Sequence, residues 1–294
     1  MIWMMDVPVI LIRAELSEEN EVEAAEQAGF RVIQKRADVL SCRSGADSQT
    51  LVIPRYSALP YYKELEADIS ALGGRLINTY SEHLYVADMN RWYWDFKDLT
   101  PRTWMRTCDV SYDQKGSFVL KGMTNSRKHK WRTHMFAKDR ADTSRVLGNL
   151  LDDVLVSEQG ICVREFEPFY AFPGVEGING LPVTNEHRFF IHGGEILAAG
   201  FYWSEHLDVL KTQHPGRVLA SPHAWVKENV CPRLRDRIPF VVADVAEHQD
   251  GRWRLVELND GQMSGLSCVD AGLLYGRLFE EVTGVEDGGR SAED

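Results

Sequence analysis

The feature that most restricts the fold is the alternation of apolar runs and helical segments over the first ninety residues. Residues 8–13 are an apolar run suited to a buried strand. Ser17 is placed to cap the acid-led segment that follows, and Gly29 to stop it. Residues 30–34 read as a second strand, and 50–53 as a third closed by Pro54. Residues 61–72 read as a helix ended by Gly73-Gly74, and 75–77 as a returning strand. Strands and helices in this order imply a small parallel α/β layer.

Beyond residue 90 the pattern changes. The stretch 91–104, RWYWDFKDLTPRTW, is aromatic and polar and reads as a junction between lobes. Residues 117–121 form a strand that leads into the basic loop 122–131. Val146, Leu147, Leu150, Leu151, Val154 and Leu155 share one helical face, with Gly160 after it. Residues 161–166 form a strand, and 172–182, with three Gly and two Pro, a loop. From Glu186 onward hairpins dominate: 188–191 with 195–203, then 240–247 with 252–258. Residues 271–282 close the chain as a helix, and the last residues read as a disordered tail.

Composition excludes several classes. With 33 Lys+Arg against 44 Asp+Glu the net charge is −11, which argues against a nucleic-acid partner. No apolar run approaches the ~20 residues of a membrane span, so no membrane partner is expected. The opening segment lacks a basic start and reads as a first strand, not a leader. Five scattered cysteines without a CxxC pair fit a reducing, cytoplasmic setting. The charge is uneven, however: from Lys115 to Arg140 there are eight Lys/Arg and one acid, Asp139. A solvated basic face and a site for bound polyphosphate both account for that strip.

The most informative segment is 240–267. Asp244 lies on one strand of its hairpin, and Glu257 and Asn259 on the other. Residues two apart on a strand face the same side, so Glu257 and Asn259 point together and the hairpin brings Asp244 beside them. Three hard oxygen donors on one wall suit Mg²⁺; an edge hairpin with solvated polar groups is the alternative. Lys121 ends a strand and can offer a point charge to phosphate, with Arg127, Lys128 and Lys130 in the loop beyond; a snorkelling surface lysine is the alternative. Residues 162–169 pass from an apolar strand into an irregular joint able to hold a flat apolar ring system. Arg188, after Glu186 and His187, can stabilise charge on a transferring phosphoryl group.

The order of these pieces resembles the ATP-grasp family, and among its branches the clade named for an arginine and two lysines. The likeness spans residues 92–266, with Asp244/Glu257/Asn259 as its most specific part. It implies an α/β and α+β chain: two α+β lobes enclosing ATP, preceded by a small Rossmann-like pre-ATP-grasp domain, with 1–90 as that domain, lobes at 91–166 (small) and 167–283 (large), and a tail at 284–294. It also implies that Lys97, matching the family's upstream lysine, and Lys121 hold phosphates, with Lys128 and Lys130 closing over them. Adenine would lie against Glu165, Phe166 and Glu167, with Glu186 a further nucleotide contact. Asp244, Glu257 and Asn259 would hold Mg²⁺, while Arg188 and Lys121 serve the chemistry. The implied reaction activates a carboxylate as an acylphosphate and joins it to an amine, on a small molecule, a peptide or a protein. A small-molecule kinase and a nucleotide-binding regulator are the alternatives. Three departures stand out: the loop after Lys121 is poor in glycine, Asp-Gly-Gln-Met-Ser-Gly follows Asn259 where many relatives have a Pro-Gly turn, and the loop 169–184 is longer than a minimal connection from hinge to strand.

Overall fold

The computed structural model describes residues 7–13, 20–45 and 48–285. The N-terminal unit is a parallel sheet in the order β2-β1-β3-β4. It comprises β1 (Val9–Ile12), β2 (Arg31–Ile33), β3 (Thr50–Arg55) and β4 (Gly74–Leu76), with α1 (Glu21–Ala28) and α2 (Tyr62–Ala71) between strands. Gly29 ends α1 in the left-handed region at φ 105°, as its position predicts. Ser17, the expected cap, lies outside the described residues, as do 286–294 of the expected tail. Pro54 does not close β3 but lies within it, paired with Leu11. β4 pairs only as far as Val52, so at Pro54 one side of β3 has no ladder to break.

Helices α3 (Tyr80–Ala87) and α4 (Met89–Phe96) follow. The aromatic stretch read as a junction is mostly α4, which buries Trp92 and Phe96 against Val241, Val226 and Val230. Its apolar residues recur at helical spacing, and burial of that stripe outweighs its polar content. A second sheet, β5-β8-β6-β7, is antiparallel: β5 (Thr103–Trp104), β6 (Phe118–Gly122), β7 (Phe136–Ala137) and β8 (Ile161–Glu165). It is backed by α5 (Thr143–Leu151) and the short turn α6 (Val154–Ser157).

The single helical face expected over 146–155 is interrupted. Val146 and Leu150 are buried, but Leu151, Val154 and Leu155 are exposed and Val156 fills the core instead. Asp153 is extended (φ −92°, ψ 104°) and its carboxylate accepts two bonds from Arg127, so the break places a counter-charge for the basic loop. Leu155→Ser should therefore change stability by less than about 0.5 kcal/mol, whereas Val156→Ala should cost about 2 kcal/mol. Urea denaturation of the two variants checks this.

The third sheet, β10-β9-β11-β12, is antiparallel: β9 (Glu186–His192), β10 (Glu195–Phe201), β11 (Phe240–Glu247) and β12 (Trp253–Asp260). Between β10 and β11 run α7 (Leu207–Gln213), α8 (Pro215–Val218), α9 (His223–Asn229) and α10 (Cys231–Leu234), and α11 (Ala271–Thr283) follows β12. Period-2 alternation divides its faces. Phe189, Ile191, Val241, Ala243 and Val245 pack on α4 and α9. On the other face Phe190, Phe240 and Val242 pack with Ile10, Ile53 and Tyr275, joining this sheet to the N-terminal one. Farther along that same face the residues turn charged, and there the site begins. Among the described residues no helix is long and apolar enough to cross a membrane.

Candidate active site

On the charged end of that face, strand register lines up Arg188, Asp244 and Glu257 across β9, β11 and β12. Arg188 Nε and Nη2 donate to Asp244 Oδ1 and Oδ2 at 2.8 and 2.9 Å, and Nη1 to the Gly265 carbonyl at 2.7 Å. Asp244 is 1% exposed. Two residues along from Glu257, Asn259 Nδ2 donates to Asp244 Oδ2 at 3.4 Å, which leaves its amide oxygen as an acceptor. The three residues expected together thus share one face. A bulge between Asp244 and Val245 sets Val256 out of register. Such a kink re-aims neighbouring side chains, and both Val256 and Glu257 line the cavity beside it.

The facing wall comes from the second sheet. On β6, Phe118 and Leu120 enter that sheet's core while Val119 and Lys121 line the cavity, as alternation requires. Lys121, 5% exposed, donates from Nζ to Glu257 Oε1 at 2.7 Å and so bridges the two walls. Burial raises the Glu257 carboxyl, but Lys121, Lys128 and Arg164 overcome it and hold it down to about 2. Lys128 Nζ donates to the Tyr202 hydroxyl at 2.8 Å, and the Arg188 guanidinium lies 4.9 Å from the Tyr202 ring centre. Glu186 is buried beside them. Thr184 Oγ1 donates to its Oε2 at 3.2 Å, while its buried Oε1 has no partner. Burial pushes its carboxyl up to about 7, only partly offset by Lys128 and Arg188.

The cavity between the walls has a volume of about 250 Å³. Its charged end is Lys121, Lys128, Glu186 and Glu257; its apolar end includes Val119, Met135, Phe166, Phe169, Leu181 and Val256. Glu165, Phe166 and Glu167 all line it. However, the N–H groups of Glu165 and Phe166 already donate to the Arg102 and Ser117 carbonyls. The Glu167 carboxylate is held by Arg254 at 2.8 Å.

Not every expected residue lines the cavity: Arg188, Asp244 and Asn259 sit beside Glu257 on the sheet but outside the lining, and Lys97 and Lys130 lie farther off. Lys97 is exposed at the end of α4 and does not line the cavity, because α4 turns its buried face toward Val241 and leaves the next residue in solvent. Lys130 is also exposed and outside the lining; the turn over Lys128–Lys130 points only its first residue inward. Arg127, tied to Asp153, is likewise outside the lining. Lys97→Ala should leave affinity for the nucleotide analogue AMPPNP within about twofold, because an exposed distant charge is screened; calorimetry checks it.

Sequence reasoning missed Arg164, Tyr202 and Trp203. Arg164 lines the cavity from β8 and bonds the Val256 carbonyl (2.8 Å) and Thr100 Oγ1 (2.7 Å). A charged residue inside the apolar run Cys162-Val163-Arg164 was the available signal. Tyr202 and Trp203 end an ordinary hairpin and give none.

Among the described residues no three His, Cys, Asp or Glu side chains converge on one point. The donor set here is two carboxylates and an amide oxygen, hard oxygen ligands that suit Mg²⁺ chemically. Each carboxylate is neutralised by a cation of the chain itself, Asp244 by Arg188 and Glu257 by Lys121. A divalent ion therefore fits this set best together with phosphate groups that draw Lys121 away from Glu257.

A family model for the ATP-grasp domain, the third family of the clade named for an arginine and two lysines, matches residues 111–278. No curated protein matches the chain in sequence. Among solved structures it is similar to the RimK domain ATP-grasp protein of Sphaerobacter thermophilus, at 15% identity and TM-score 0.53, covering 92% of this chain and 99% of that one. It is also similar to the ATP-grasp ligase PsnB complexed with a minimal precursor, at 11% identity and TM-score 0.57, covering 95% and 100%. A third is the D-alanine–D-alanine ligase of Bacillus anthracis complexed with ATP, at 12% identity and TM-score 0.55, covering 95% and 96%.

Proposed function

Because the chain belongs to the ATP-grasp family, in the clade named for an arginine and two lysines, we propose that it is an ATP-dependent ligase that activates a carboxylate and joins it to an amine. In this reading residues 91–166 and 167–283 are the two lobes around ATP, and 1–90 the domain before them. The observation that carries it is the two-ended cavity: apolar surface at one end, and the Lys121–Glu257 bridge with Lys128 at the other. A nucleotide has that same division, a flat apolar base joined to a polyanion.

Lys121 and Lys128 would exchange their present partners, Glu257 and Tyr202, for phosphate oxygens. The Glu257 and Asn259 oxygens, with Asp244, would then hold Mg²⁺, which neutralises phosphate charge and orients the group transferred. Arg188 fixes Asp244 and supplies positive charge beside the reacting groups. Glu186, buried with one free oxygen, would accept from a nucleotide hydroxyl. The substrate carboxylate attacks the γ-phosphorus and ADP leaves; the amine then attacks the acyl carbon and phosphate leaves. Both steps rest on positioning and charge neutralisation, the functions this cleft's residues can perform.

The test is a screen of amino acids and short peptides for ADP release with Mg²⁺. The expected result is ADP and free phosphate only when an acid and an amine are both present. ADP release with phosphate retained on a single substrate would overturn the reading in favour of phosphotransfer.

A further inference from the structure

Asp260 stands next to Asn259 on β12 and, by strand alternation, projects from the opposite face. It is 3% exposed, away from the cavity, and plays no part in the proposed chemistry. Even so it is among the most heavily bonded carboxylates in the molecule. Asn78 Nδ2 donates to Oδ1 at 2.9 Å, His83 Nδ1 lies 3.0 Å from Oδ2, and the Gln262 N–H donates to Oδ1 at 2.9 Å. Asn78 also donates to the Phe240 carbonyl and accepts from the Phe240 N–H, at 2.7 and 2.9 Å, so it ties the start of β11 to the end of β12. His83 is stacked on Tyr62, ring centres 4.1 Å apart and 6° from parallel. The Tyr62 hydroxyl donates to the Asn78 carbonyl and accepts from Gln262 Nε2, each at 2.6 Å.

The loop beyond is held in the same way. Its sequence, Gly261-Gln262-Met263-Ser264-Gly265, has little stiffness of its own. Arg55, 7% exposed and paired with Glu21 at 2.7 Å, donates to the Ser264 carbonyl at 2.7 Å and to the Gly261 carbonyl. Arg188 takes the Gly265 carbonyl from the other side. Two buried guanidiniums and a buried carboxylate are thus spent on one short segment, and their common effect is to fix where β12 ends. Asn259 is the last residue on the face of Asp244 and Glu257 before that end.

We propose that Asp260 is a positioning residue for the cation end of the cleft: clamped by Asn78 and His83 of the N-terminal unit, it fixes β12 so that the Asn259 amide oxygen is presented beside Asp244 and Glu257. The proposal rests on the nucleotide reading of the site. It makes the N-terminal unit part of the metal geometry, although that unit supplies no residue lining the cavity.

The test is calorimetric binding of AMPPNP to the full chain, once with Mn²⁺ and once with EDTA. The wild-type protein should bind more tightly with Mn²⁺, and the ratio of the two affinities is the metal increment. Asp260→Ala should lower that increment by about 10–100-fold, the usual loss when a group supporting a metal ligand is removed. Affinity in EDTA should be unchanged, and Asp260→Asn, which keeps an oxygen for Asn78 and Gln262, should recover most of the increment. A folded Asp260→Ala protein with its full increment, or with equal loss in both conditions, overturns the proposal. Should that variant fail to fold, His83→Phe decides: it keeps the stacking on Tyr62, and a loss confined to the increment supports the proposal while no change refutes it. Absence of any metal increment in the wild-type protein is a different failure, because it removes the nucleotide reading and this inference with it.

Discussion

Glu257→Gln should leave the chain folded and lower Mg²⁺-dependent ATP turnover by about 10²–10³-fold, the scale on which removal of one preorganised charge acts. The amide keeps the shape of the side chain and an oxygen for Lys121, so the buried ammonium keeps a hydrogen-bond acceptor where it had an ion pair at 2.7 Å. What disappears is the charge. The Glu257 carboxyl is held down to about 2, so it is ionised throughout any working range and cannot cause an acidic limb. Glu186, pushed up to about 7, can. Nucleotide affinity should fall as pH drops through that value, where Glu186 gains a proton and loses acceptor capacity, and should flatten in Glu186→Gln. Turnover by Glu257→Gln at the wild-type rate, with unchanged circular dichroism, would remove the site assignment.

Arg55→Met should destabilise the protein by about 3–5 kcal/mol, the range for breaking a buried ion pair from one side. Arg55 is raised despite its burial because Glu21 and Tyr275 hold the charge in place, and Glu21 is 6% exposed. Once the guanidinium is gone, the carboxylate keeps only the Tyr275 hydroxyl and loses its counter-charge, and the carbonyls of Gly261 and Ser264 lose their Arg55 donor. At about 2–4 °C per kcal/mol for a chain near this size, the melting temperature should drop by roughly 10 °C. Glu21→Gln added to Arg55→Met should recover part of the loss, since no unpaired charge then remains. A single variant melting within a degree of wild type would show that this contact is a surface-like ion pair after all.

Much of the fold was legible because the relevant signals are local. The alternation of strands and helices before residue 90 is set by periodicity and by punctuation such as Gly29, and both depend on near neighbours. The same holds for the shared face of Glu257 and Asn259. Where a longer-range partner intervened, local reasoning erred. The helix over 146–155 is interrupted at Asp153, whose carboxylate pairs with Arg127, a partner 26 residues away that no window on the helix contains. Lys97 stands in the right motif order, yet packing of α4 against Val241 turns it outward.

By itself, then, the sequence determined the alternation before residue 90 and the shared face of Glu257 and Asn259, consequences of backbone geometry repeating every 2 or 3.6 residues, and motif order pointed to the family; the helices over 80–96 and 207–234 were not read from it. Only the tertiary structure decided which charges neutralise one another. Arg188 with Asp244, Lys121 with Glu257, and Asp260 with Asn78 and His83 are separated by 56, 136 and up to 182 residues. Coulomb and hydrogen-bond energies depend on distance in space and on burial, and neither quantity is written along the chain.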